Sequence, residues 1–316
     1  MSTDIAQDFS PLIRIYKDGR VERLLGTATL PAGHDPTSGV VSKDIVYSTQ
    51  STLSARLYAP PSAISAGKKL PLLIYIHGGG FCIESPFSPI YHAHLNALVA
   101  EAQIVAVSVD YRLVPEHPLP CAYDDCWAAL KWAVAHAGGS GPEEWLNACA
   151  DFGRVFVAGD SAGANIAHRV AMRNAEEKLI ELWGLVLVDP YFWGEDQIGD
   201  EPKDEAGRAL PSGLWRLANP GSKNGLDDPE INATADPKLS GLGCRRVLVL
   251  VAEKDSLKDR GRLYCETLGK NGWPGKAEIH EAKGENHVFH LFDPACENAA
   301  ARMKRTVSFL NEGKDG

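Results

Sequence analysis

No apolar run in this chain reaches the roughly 18–20 residues of a membrane span. No run of lysine or arginine occurs either. The net charge is −9 over 316 residues, with a pI near 5.6. An acidic chain without a basic stripe argues against nucleic acid and anionic lipid as partners. The seven cysteines, Cys82, Cys121, Cys126, Cys149, Cys244, Cys265 and Cys296, are odd in number and contain no C-x-x-C pair. That pattern favours free, mostly buried thiols in a reducing compartment, and Cys82 is expected to pack rather than react. The opening MSTDIAQDFSPLIRIYKDG has no basic start followed by an apolar core. No signal peptide is visible, and the expected location is cytoplasmic. There is no H-E-x-x-H and no cysteine–histidine cluster, so neither a metal nor an organic cofactor is expected. Repeats and low-complexity blocks are also missing.

What is present is a soluble composition with a sizeable core, 44% hydrophobic and 23% charged. LIRIYKDGRVERL alternates around Asp18-Gly19, a good hairpin turn. KDIVYSTQSTLSARLYAPP reads as a second strand pair. LPLLIYI, AQIVAVSVDYR, GRVFVAGD, LWGLVLVDP and RRVLVLVAEKD are short apolar runs of the kind buried strands need, and KAEIHEA reads as a further strand. DDCWAALKWAVAHA and SAGANIAHRVAMRNAEE read as helices, and helical segments are expected before KAEIHEA and after Pro294. Strands alternating with helices imply a mostly parallel sheet covered on both faces, with an antiparallel edge from the early pairs. Residues 190–240 break the rhythm, with a weak helical patch at SGLWRLA. They are expected to form a cap over the sheet together with about residues 1–40, within one domain spanning 1–316.

The chemistry centres on Gly159-Asp160-Ser161-Ala162-Gly163. A G-x-S-x-G pattern is short, but here a strand precedes it and a helix follows. Such a turn strains the serine backbone and presents its hydroxyl at the C-terminal edge of the sheet, where open α/β folds place ligands. The plainer reading of Ser161 is a helix N-cap. His77-Gly78-Gly79-Gly80 follows another strand. Two backbone N–H groups of this loop, with that of Ala162, suit a developing oxyanion. A phosphate cradle would want a following Lys and Ser/Thr, whereas Phe81-Cys82 follow here. His77 is expected to be a structural hydrogen-bonder. A serine nucleophile needs a base held by an acid, in the chain order Ser, Asp or Glu, His. His287, in a loop after a strand, is favoured over His290, while His280 falls inside the strand. Asp255, at the end of RRVLVLVAEK, is favoured over Asp189. Asp259 sits at a helix start, and Asp160 should point away from the serine.

IHGGGF, DYRLVPEHPLPCAYDD, GDSAGAN, AEKDSLKDRGRLY and GENHVFHLF together resemble the plant carboxylesterases of the hormone-sensitive-lipase-like α/β-hydrolase family, from about Ser10 to Leu310. The resemblance implies an α/β-hydrolase fold with a sheet of about eight strands and a small cap. It implies Ser161 as nucleophile, Asp255 as acid and His287 as base, with Gly78, Gly79 and Ala162 around the oxyanion. The expected substrate is a small-molecule ester. In DYRLVPEHP, an Arg112–Glu116 ion pair is expected to fix the loop. Phe192, Trp193, Leu214, Trp215 and Leu217 lie in the expected cap, as pocket lining or as ordinary packing. The same family contains non-hydrolases. Gibberellin receptors lack the catalytic histidine and carry a longer N-terminal lid. The 2-hydroxyisoflavanone dehydratases carry a threonine in the glycine loop, and alkaloid cyclases a damaged triad or loop. His287 and the all-glycine loop favour hydrolysis, with a lyase or cyclase, or a non-catalytic receptor, as the alternatives.

Overall fold

Val-, Ile- and Leu-rich runs of six or seven residues lose least when both their faces are covered, and the central sheet is built from them. The computed structural model describes residues 4–48 and 52–313. A small antiparallel sheet comes first, from β1 (Ile5–Phe9), β2 (Ile13–Tyr16) and β3 (Val21–Arg23). The β2–β3 turn contains Asp18-Gly19, with Gly19 at φ +84°. The main sheet uses β4 (Val41–Ser48), β5 (Leu53–Ala59), β6 (Leu70–Ile76), β7 (Val105–Asp110), β8 (Ala150–Asp160), β9 (Leu182–Val188), β10 (Arg246–Ala252) and β11 (Lys276–Ala282). Its order is β11-β10-β9-β8-β6-β7-β5-β4. Only the β4–β5 and β5–β7 pairings are antiparallel.

Side chains alternate between faces along each strand, so each run feeds two cores. Leu72, Ile74, Val157, Leu185 and Val249 face one side. There they meet α3 (Cys121–Val134), α5 (Ala162–Glu177) and α7 (Lys258–Lys270). Leu73, Tyr75, Phe156, Val186 and Leu250 face the other. Here the cover is α2 (Pro89–Ala102) and α9 (Glu297–Asn311). Short helices α1 (Pro61–Ala66), α4 (Glu144–Cys149) and α8 (Phe289–Phe292) fill the connections.

Between β9 and β10 the chain forms α6 (Glu205–Ala218) and three single 3-10 turns. This helix is twice as long as the SGLWRLA patch suggested. Asp204 caps it by accepting from the Gly207 N–H at 2.8 Å. β1 packs on α6, with Gly213 against the Phe9 ring. Leu12 and Leu214 both come down over Gly80, just beyond the end of β6. The N-terminal strands and α6 therefore meet over the C-terminal end of β6.

The crossing of β6, β8 and α5 is the tightest contact in this region. A Cβ on Gly163 would run into the carbonyl oxygens of Ile76 and His77, and one on Gly159 into Gly163. These are backbone atoms that cannot rotate away. Gly163→Ala should destabilise the fold by about 1–3 kcal/mol, read as a lower urea midpoint. An unchanged midpoint would show that α5 can lift off β6 freely.

Candidate active site

β8 ends at Asp160 and α5 starts at Ala162, so Ser161 makes the whole turn, at φ +52° and ψ −118°. A non-glycine residue there is strained by about 1–3 kcal/mol, which the surroundings must hold. Ser161 N–H donates to Val188 O at 2.9 Å, and Tyr191 N–H donates to Ser161 O at 3.0 Å. Its hydroxyl makes no capping bond to α5, so the N-cap reading fails. Instead Ser161 Oγ lies 2.9 Å from His287 Nε2, and both residues are partly exposed.

His287 stands on the loop after β11. Its Nδ1 is 2.7 Å from Asp255 Oδ2, and Asp255 Oδ1 accepts the Leu257 N–H at 2.9 Å. Asp255 follows β10 and is buried. With Nδ1–H donating to the carboxylate, Nε2 is left as the acceptor facing the serine. Burial works against charge on this ring. Asp255 first, then Asp189 and Asp160, outweigh it and raise the imidazole to about 9.

The competing residues have other partners. Asp189 accepts the Val288 N–H at 2.9 Å and Arg302 Nη1 at 2.7 Å, so it braces the histidine loop. Asp189, Asp255 and His287 offer ligand atoms within 4.8 Å of one another. The Arg302 guanidinium already occupies Asp189, a poor setting for a cation. Asp259 accepts the Asp200 N–H at 2.7 Å and pairs with Arg262. His290 is buried, with Nδ1 3.3 Å from Arg302 Nη1.

The glycine loop departs from expectation at one position. Gly78 N–H donates to the Tyr91 hydroxyl at 2.8 Å, and Tyr91 donates to Asp160 Oδ2 at 2.8 Å. Tyr75 donates to the other Asp160 oxygen at 2.9 Å. Gly78 O accepts from the Tyr111 hydroxyl at 3.0 Å and lies 2.9 Å from His77 Nδ1. The Gly78 peptide is therefore clamped on both sides and cannot serve an oxyanion. Gly79, Gly80 and Ala162 have N–H groups with no partner among the described residues. Gly79 and Gly80 sit at φ +95° and +60°, where glycine carries no steric penalty. His77 is fully buried and stacks on Tyr111 at 4.2 Å, with burial lowering its imidazole to about 4. Burial pushes the Cys82 thiol up to about 12, leaving it unreactive. Burial also raises Asp160 to about 6, against the opposing effect of its two tyrosine bonds.

Two further expectations need correcting. Arg112 pairs with Asp125 at 2.7 Å, and Glu116 with Arg23 at 2.7 Å. Arg23 also donates to Cys82 O at 2.8 Å, so the loop is tied to the small sheet rather than to itself. Of the aromatic cap residues, Trp193 and Trp215 are fully buried, their indole N–H groups bonded to Ser212 Oγ and Gly225 O. Phe192 packs on Tyr264 and His168. All three are buried in the main core on the α3/α5/α7 side of the sheet. Leu214, against Gly80, is the one that borders the site. Tyr75, Tyr91 and Arg302 escaped sequence reasoning. Tyr75 reads as one more residue of a buried strand, Tyr91 lies in a helix with no motif, and Arg302 is one of several charged residues in α9.

Sheet order and turn together define an α/β hydrolase. The family described as alpha/beta hydrolase fold matches residues 73–291. Probable carboxylesterase 13 of Arabidopsis thaliana is 50% identical, covering 99% of this chain and 100% of that protein. Tuliposide A-converting enzyme 1, chloroplastic, of Tulipa gesneriana is 45% identical over 98% of this chain and 79% of its own. Among solved structures, esterase LipW from Mycobacterium marinum superposes with a TM-score of 0.72 at 26% identity, covering 86% of this chain and 82% of its own. The chain belongs to the α/β-hydrolase-fold family, among the plant carboxylesterases of its hormone-sensitive-lipase-like group.

A base must be neutral to accept a proton, so raising its pKa moves the acid limb of activity upward. For kcat/KM on a neutral short-chain ester, that limb should lie above 6.5 and toward 9. Asp255→Asn should move it down, besides lowering kcat by roughly 10⁴-fold. A limb at or below 6.5 would mean that the three carboxylates do not control this ring.

Proposed function

We propose that this protein is a serine carboxylesterase acting on a small-molecule ester through an acyl-enzyme, with Ser161, His287 and Asp255 as its triad. The observation that carries the reading is the continuous relay from Ser161 Oγ through His287 to Asp255, at 2.9 and 2.7 Å. Ser161 Oγ attacks the carbonyl carbon while His287 Nε2 takes its proton. Nδ1 keeps its proton, donating it in a hydrogen bond to Asp255, whose carboxylate stabilises the imidazolium. The oxyanion lies against the N–H groups of Gly79, Gly80 and Ala162, with Gly80 in the role expected of Gly78. Losing one such donor costs about 100- to 1000-fold in kcat. Collapse expels the alcohol, which receives the proton from His287. Water then adds to the acyl carbon, giving its proton to the same nitrogen, and the acid leaves as Ser161 is restored.

Among the described residues, no helix is long and apolar enough to cross a membrane. Seven free thiols support a reducing compartment, the cytoplasm in our reading. The acidic net charge supports a small-molecule partner over nucleic acid or an anionic membrane.

Ser161→Ala should abolish turnover of a short acyl ester and labelling by a serine-directed phosphonate, with the unfolding midpoint kept. His287→Ala should cost at least about 10³-fold in kcat, and His290→Ala far less. Near-normal turnover by Ser161→Ala would refute the nucleophile, and the reverse histidine ranking would move the base.

A further inference from the structure

A cavity of about 320 Å³ lies on the sheet face covered by α2 and α9. It is separate from the catalytic edge. Leu73, Ile90, Leu98, Val186, Leu250 and Met303 make it mostly apolar. Its volume is roughly twice the ~150 Å³ that accommodates benzene, which suits a ligand of about ten heavy atoms.

Two histidines interrupt the apolar wall. Arg302 Nη1 is 3.3 Å from His290 Nδ1. A guanidinium only donates, so Nδ1 accepts and the neutral ring carries its hydrogen on Nε2. That Nε2–H has no hydrogen-bond partner among the described residues. His94 has none on either ring nitrogen, meeting only the rings of Tyr75 at 5.7 Å and His290 at 5.2 Å. Burial, helped by the nearby Arg302 charge, holds both rings neutral, His94 down to about 4. His94 is partly buried and His290 buried, and both line the cavity, so a ligand there meets ring nitrogens that no group among the described residues satisfies. The Arg302 charge is already taken by Asp189, and Glu101 stands in the wall. Both features disfavour an anion.

The same wall supports the catalytic row. Asp189 Oδ2 receives both Arg302 Nη1 and the N–H of Val288, the neighbour of His287. We propose that this cavity is a second ligand site, for a neutral molecule with an apolar skeleton and one carbonyl or hydroxyl oxygen. Its occupancy adjusts His287 through Arg302 and Asp189. The second half rests on the hydrolase reading, while the first stands without it.

The probe is 2-nonanone, titrated by ligand-observed NMR into protein whose Ser161 has been capped by a phosphonate. Binding should persist in the capped protein. It should weaken at least tenfold in Ala97→Phe, which fills the cavity from α2, and about two- to tenfold in His94→Leu, which removes a hydrogen bond. Nonanoate should bind at least tenfold more weakly than the ketone. In uncapped enzyme the ketone should change kcat on a short ester with KM unchanged, and Ala97→Phe should lose that response. A diazirine analogue of the ketone should label peptides from 89–102 and 297–311, which decides the matter if Ala97→Phe does not fold. No binding to capped protein, equal binding by Ala97→Phe, tighter nonanoate, or labels elsewhere would overturn the site. Binding without a change in kcat would overturn the coupling. If the phosphonate fails to label Ser161, the hydrolase reading falls, and the labelling pattern still judges the cavity.

Discussion

The backbone turn at Ser161 is the constraint on which the rest of the molecule depends. A serine at φ +52° stays there because Val188, at the end of β9, holds its N–H, and Tyr191, just beyond that strand, holds its carbonyl. The crossing beneath it leaves no room for side chains at Gly159 and Gly163. The same crossing brings β6 against β8, so the glycine loop after β6 arrives beside the serine. The hydroxyl, the bare amides and the start of α5 are thus consequences of one packing contact. Relaxing the turn would move all three together.

Two buried carboxylates next to the site do no chemistry in this account, yet each holds one half of it. Asp160, at the end of β8, holds Tyr91, and Tyr91 holds the Gly78 peptide. Asp189, just after β9, holds the Val288 N–H and is itself held by Arg302. One carboxylate sets the loop that carries the free Gly79 and Gly80 amides, and the other sets the loop that carries His287. Unpaired buried charge is costly, so both are anchored by donors from α2 or α9. The α2/α9 face thereby helps set the geometry around Ser161 and His287.

Much of the fold was legible because burial writes itself into composition. Five apolar runs and the Asp18-Gly19 turn lie where strands and hairpin lie. Helix α2 was not legible. PIYHAHLNALVAEA is apolar or small on most faces, because it is buried between the sheet and α9, and its polar Tyr91 and Asn96 point inward. The long α6 was hidden by Pro211 and by glycines inside a helix. Ion pairs were less legible still. Arg112 and Glu116 are close in sequence, but each found a partner from another element. Likewise, which cap aromatics face inward depends on how the cap packs.

By itself the sequence determined the residue types, the local turns and their order: a serine between glycines after a strand, three glycines after another, an acid and a histidine on later loops. Those follow from short-range sterics and strand burial, which neighbours along the chain decide. The tertiary structure alone decided which nitrogen faces the serine, which glycine amides stay free and which carboxylate meets His287. These depend on distances of under 3 Å between elements up to 126 residues apart. Gly78 shows the difference: its N–H matches its neighbours in sequence, and only the arrival of Tyr91 from α2 withdraws it.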